Sequence, residues 1–228
     1  MASDPSATRF KDRLSDFTAD PRLLLLTAMA LVVGLMGSAS AWVLLRLIAI
    51  ITNFAYYQHY SSVLTAFPKT LPAWTIAIPV VGSLIIGFMA RYGSDKIRGH
   101  GIPEAIEAIL IGQSRIAPKV ALLKPLSSAI SIGSGGPFGA EGPIIMTGGA
   151  IGSLIAQILP VSDNERKTLL VAGAAAGMTS VFGTPIAAIM LAVELLLFEW
   201  TPRSFIPVAV AAIVADVGRA LLHMPSPL

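Results

Sequence analysis

Residues 23–51 form an apolar run broken only by Gly34, Gly37, a few serines and Arg46. About 20 apolar residues suffice to carry a helix across a bilayer. This run exceeds that length, so it is expected to cross at a tilt. Residues 72–90 and 204–222 read as further spans. Between them the apolar segments 105–111, 117–132 and 144–159 are short and bounded by Gly and Pro. Irregular backbone at membrane depth persists only where protein buries it or where it lines a cavity. Broken helices whose N-termini face the midplane are how transporters build ion sites. The expected fold is therefore all-α and integral to the membrane, with tilted and broken transmembrane helices.

Composition agrees. The 228 residues are 54% hydrophobic and 13% charged, against about 25% charged in a soluble domain. With no cysteine, disulfides and thiolate metal sites are excluded. The 16 Lys and Arg outnumber the 13 Asp and Glu by three, and no basic patch interleaved with aromatics suggests nucleic acid. Arg9, Lys11, Arg13 and Arg22 precede the first span, and Arg91, Lys96 and Arg98 follow the second. The positive-inside rule puts both flanks in the cytoplasm and the 52–71 loop outside, giving a multi-pass cell-membrane protein with a cytoplasmic N-terminus. Residues 1–22 form a cytoplasmic N-terminal segment with no signal-peptide core. Phe10, Leu14 and Phe17 make it either a short amphipathic surface helix or an unstructured tail. Residues 23–228 are read as one transmembrane unit.

The stretch from Gly133 to Ile145, GSGGPFGAEGPII, puts a lone carboxylate, Glu141, among glycines and prolines in otherwise oily sequence. Glycines leave backbone N–H groups uncovered, and Pro143 suits the first turn of a helix. A helix starting near Pro143 would aim its positive end and free amides at Glu141, or at an anion in its place. The absence of Lys-Ser/Thr after the glycines excludes a P-loop. The three histidines, His59, His100 and His223, are scattered, and neither HExxH nor GxSxG is present, so no enzymatic constellation is expected. Neither a cofactor nor a metal is expected.

Three stretches together resemble the CLC family of chloride channels and chloride/proton antiporters. Gly99-His-Gly-Ile-Pro103 is similar to the family's GSGIP loop. Gly139-Ala-Glu-Gly-Pro143, with Gly148-Gly149 downstream, is similar to its G(K/R)EGP loop. Gly173-Ala-Ala-Ala-Gly177 through Phe182, Pro185 and Glu194 is similar to its following helix pair. The resemblance covers roughly residues 23–225, corresponding to the first of the family's two inverted repeats. It implies that Glu141 is a gating glutamate whose carboxylate competes with the anion. His100, Gly101 and Ile102 would form an inner anion-binding loop, and Gly139, Gly142 and Ile144 an outer one. His100 stands where the family has serine, so it either alters the contact to the anion or points away and leaves backbone amides to bind. Ala140 stands where the family has Lys or Arg. Leu195 stands where antiporters carry an inner proton-transfer glutamate, which favours passive chloride conduction. The alternative is chloride/proton antiport, with Glu141 and Glu199 as proton-transfer candidates. Glu194 is expected as a buried structural acid. A further alternative is a non-conducting half-subunit. The implied partners are the lipid bilayer, chloride or another small anion, a second CLC half, and a second copy in a homodimer.

Overall fold

The computed structural model describes residues 21–63 and 70–224 of the chain. The segment carrying Phe10, Leu14 and Phe17 lies outside the described residues. The described residues form eight α-helices: α1 (Pro21–Tyr57), α2 (Ala77–Tyr92), α3 (Ile102–Leu110), α4 (Pro118–Gly133), α5 (Glu141–Ile158), α6 (Asp163–Phe182), α7 (Pro185–Ala192) and α8 (Pro202–Leu221). Short 3₁₀ turns at Ala73–Ile76 and Asp95–Ile97 flank α2, and a π turn at Val193–Leu197 extends α7. Three stretches are long and apolar enough to cross a membrane: Pro21–Tyr57, Ala73–Tyr92 and Pro202–Leu221. At 1.5 Å per residue the 37 residues of α1 span about 55 Å, well beyond the hydrocarbon thickness. The expected all-α membrane architecture is therefore present, short helices included.

Local chemistry sets the helix ends. Pro118, Pro185 and Pro202 open α4, α7 and α8, where the missing N–H costs nothing. Ser162 and Glu165 cap α6 reciprocally: the hydroxyl accepts the Glu165 N–H at 3.3 Å and the carboxylate accepts the Ser162 N–H at 2.8 Å. Gly183, with φ 64°, ends α6 in a left-handed turn that glycine adopts without strain.

The core is built around α6, whose residues from Thr168 to Ser180 are all buried. Its small residues, expected to permit close packing, bring backbones into contact. A Cβ on Gly148 of α5 would lie 2.2 Å from the Gly173 carbonyl oxygen, and one on Gly173 would lie 2.0 Å from that of Gly148. One turn along, a Cβ on Gly152 would lie 2.0 Å from the Leu169 carbonyl oxygen. In lipid, where burial drives helix association little, such van der Waals contact holds helices together. The same device recurs at α1, where Gly37 faces Ala176 of α6 and Gly34 faces Ala211 of α8.

At the face where α1, α6 and α8 begin, Glu165 ties the three starts. Its side chain is 4% exposed. It accepts hydrogen bonds from Arg22 Nε at 2.6 Å, Arg22 Nη2 at 3.1 Å and Arg203 Nη2 at 3.2 Å. Burial pushes the Glu165 carboxyl up, but the hydrogen bond from Arg22 and those from Ser162 outweigh it and hold the group at about 2. At the far end of α1, Arg46 donates to Ser62 and stacks over Trp42, 5.1 Å from the ring centroid. The one charge in the first apolar run is thereby satisfied by the following loop.

Two outcomes are expected. Because folding lowers the Glu165 pKa, the clasp's stabilisation is complete above the unfolded value near 4.5 and is lost as pH falls towards about 2. Thermal unfolding in detergent should show that acid-side loss, and Glu165→Gln should remove it while lowering the midpoint at neutral pH. Gly148→Ala should cost about 3 kcal/mol, the upper end of ordinary overpacking, because its methyl meets backbone rather than a movable side chain. A midpoint equal to wild type would show that α5 and α6 separate freely.

Candidate functional site

The two glycine loops meet through their backbones. A Cβ on Gly101 would lie 2.2 Å from the Gly142 carbonyl oxygen. A Cβ on Gly142 would lie 1.9 Å from the His100 carbonyl oxygen and 2.6 Å from its Nδ1. The starts of α3 and α5, some forty residues apart in sequence, are thus pressed together where only glycine fits. Gly99 and Gly101 have φ of 85° and 118°, so the loop turns through conformations that side chains resist. Two positive helix ends converge at this junction.

A cavity of about 560 Å³ opens beside it, between α2 and α4. Arg98, His100, Ser127, Ser131, Phe138 and Gly139 are among its lining residues. The structure thereby places two of the residues expected to bind an anion, His100 and Gly139, in the lining of one cavity. His100, Gly139 and Glu141 are exposed, whereas Gly101, Gly142 and Ile144 are buried and Ile102 is half-buried. Behind the loop, Lys124 of α4 is 1% exposed and donates to the Ile97 carbonyl at 3.2 Å and the Gly99 carbonyl at 2.7 Å.

The structure places the remaining expected site residues as follows. The helix carrying Glu141 starts at Glu141 itself, two residues before Pro143, with Ala140 as its N-cap. Ile144 consequently donates its N–H to the Ala140 carbonyl at 3.0 Å, inside the helix, and has no free amide for an anion. The free donors at this end are the N–H groups of Glu141 and Gly142, since Pro143 has none. Gly101 is likewise committed, because its N–H donates to Glu104 Oε2 at 2.6 Å. Glu194, expected as a buried acid, is exposed. It lies in the π turn, which turns Val193, Leu196 and Leu197 inward and leaves Glu194 and Leu195 outside.

Glu141 lies over Gly139: a Cβ there would be 2.8 Å from Glu141 Oε2. Its carboxylate makes no hydrogen bond or ion pair with another side chain among the described residues, so nothing there tethers it. Glu199 stands apart from the junction. It accepts from Ser204 Oγ at 2.8 Å and lies 3.7 Å from Lys167 Nζ. Lys124 and Glu104 were missed in the sequence. The available signal was a lysine in the middle of an apolar segment and a Glu three residues after Gly101, the spacing of a helix-start cap.

A model of the family described as voltage gated chloride channel matches residues 82–228. The chain belongs to the voltage gated chloride channel family. Among curated CLC relatives, a ClcB-like chloride channel protein of Ralstonia nicotianae is 33% identical over 159 residues, which are 68% of this chain and 37% of that protein. An H(+)/Cl(-) exchange transporter ClcA of Vibrio campbellii is 34% identical over 154 residues, 65% of this chain and 33% of that protein. The chain thus spans about a third of the length of the curated relatives it matches. Among solved structures, a slow cyanobacterial Cl-/H+ antiporter superposes with a TM-score of 0.67 at 19% identity, covering 92% of this chain and 48% of the other. The fold is accordingly that of CLC transporters, and the chain is a membrane protein of that family.

The junction makes a direct prediction. Gly142→Ala should drive the starts of α3 and α5 apart, lowering the thermal midpoint by several degrees while far-UV circular dichroism keeps its helical amplitude. An unshifted midpoint would mean that the two loops tolerate separation.

Proposed function

We propose that this chain supplies the anion-binding half of a membrane transporter that exchanges chloride, or a similar small anion, for protons. The observation that carries this reading is the backbone contact between the starts of α3 and α5, with the untethered Glu141 carboxylate on one of them. Free amides at a helix start attract an anion and a carboxylate alike, so the two compete for one place. Protonation of Glu141 weakens its claim and admits the anion, which links anion occupancy to proton binding. Among the relatives, the names H(+)/Cl(-) exchange transporter and Cl-/H+ antiporter favour exchange over passive conduction.

Leu195 favours the channel reading, because its side chain carries no proton. Glu199, held by Ser204 and Lys167, is the acid that would stand in for it. The second half of the pathway comes from further sequence or a second polypeptide, and complete units pair as homodimers in the cell membrane. The N-terminus faces the cytoplasm, on the strength of the basic flanks. No cofactor takes part, and chloride is the cargo.

The test is reconstitution of the full-length natural protein in liposomes, with chloride and proton movement followed together. Chloride efflux is expected to drive protons inward. Glu141→Gln should keep chloride movement and lose the coupled protons, because the gate no longer titrates. Chloride flux without proton movement in the wild type would establish passive conduction instead. No flux of either ion would establish a non-transporting subunit.

A further inference from the structure

The start of α3 already holds an anion of its own. Glu104 sits at the third position of the helix and accepts the Gly101 N–H at 2.6 Å. Its other oxygen lies against Gly99, where a Cβ would come within 1.7 Å of Oε1. The carboxylate therefore lies along the glycine loop that lines the cavity. Glu141 of α5 lies over Gly139 on the facing loop. Each of the two converging helix ends thus carries one carboxylate from its own first turn.

We infer that Glu104 is a tethered competitor for the anion at the start of α3, displaced from the Gly101 amide when it takes up a proton. The inference rests on the reading in which an anion binds at this junction. An ionised carboxylate accepts a shorter and stronger hydrogen bond than a neutral acid. Protonation loosens the contact and removes the negative charge that repels an incoming anion. The Gly101 N–H then joins the free N–H groups of Ile102 and Glu104 at the helix end.

The surrounding charges support such a swap. Lys124, from α4, is buried behind the loop and interacts electrostatically with Glu104. It donates to the carbonyls of Ile97 and Gly99. With Glu104 displaced, Lys124 remains as an uncompensated positive charge beneath the site, favourable to the anion that replaces the carboxylate. Arg98 and His100 face the cavity from the loop itself, with Arg98 also 3.2 Å from Asp95. Glu141 belongs to the facing helix end, and Glu107 is exposed one turn farther along α3. Of these, His100 and Glu141 also titrate, so the test must separate them from Glu104.

Chloride binding is measured by calorimetry on the full-length natural protein in detergent, in a Glu141→Gln background that silences the facing carboxylate. Affinity is expected to rise about tenfold from neutral to acid pH, the fold-change of one hydrogen bond to a charged group. Adding Glu104→Ala should give the high affinity at both pH values. Glu104→Gln, which keeps a neutral acceptor for the Gly101 N–H, should raise neutral-pH affinity to a lesser degree, and it decides the matter if the alanine variant fails to fold. A pH slope that persists without Glu104 would overturn the inference and assign the slope to His100. Weaker binding in both Glu104 variants would also overturn it, making the residue a structural cap. Absence of chloride binding at any pH in the Glu141→Gln background would instead defeat the anion-site reading itself.

Discussion

The arrangement depends on one constraint: a helix that begins inside protein and lipid leaves N–H groups with no carbonyl to meet. Two helices, α3 and α5, begin at the same place. Their proline residues at 103 and 143 each remove one such donor, and Glu104 satisfies another from within. The remaining amides have no carbonyl partner within their own helices. Under the proposed function an exchangeable anion would satisfy these donors and be stabilised by the aligned dipoles.

Bringing two helix starts together is sterically demanding, and glycine meets the demand twice over. At the junction, Gly101 and Gly142 let carbonyl groups of the opposite loop come closer than any side chain permits. Deeper in, Gly148 and Gly152 on α5 rest on the backbone of α6 around Leu169 and Gly173. That second contact fixes the tilt and depth of α5, and so fixes where its N-terminal end arrives. A displacement of α5 along α6 would carry Glu141 with it. The site's geometry is thus set by helix packing about two turns away from the charged groups.

Much of this was legible in the sequence. Apolar length located α1, α2 and α8, and the pairs of Gly and Pro located the broken helices, because both signals are local. Glycines at 99, 101, 139 and 142 marked the loops for the same reason. What could not be read depended on three-dimensional partners or on the phase of a helix. Ile144 was expected among the anion-binding residues; the helix begins at Glu141, so the Ile144 N–H bonds to the Ala140 carbonyl, a pairing set by the phase of the helix. Glu194 was expected to be buried, but the π turn shifts the face of the helix by one residue and leaves it exposed. The burial of Lys124 depends on carbonyls some 25 residues away, and no periodicity announces such a contact.

The apolar Leu195 gains a different meaning in this light. Exchange of protons for anions requires titratable groups that compete with the anion, and it does not require them at any one address. Here acidic side chains stand at both converging helix ends, Glu141 at the first position of α5 and Glu104 at the third position of α3. In the proposed exchange, a proton on Glu104 would weaken its hold on the Gly101 amide, and one on Glu141 would remove the charge that competes with the anion. Position 195 lies on an exposed turn beyond the C-terminal end of α7. In the proposed exchange an acid there would act as a relay, whereas an acid at the helix start would act on the anion directly. Under the same proposal, an apolar residue at 195 would slow the supply of protons, while the competition between carboxylate and anion would remain at the helix ends.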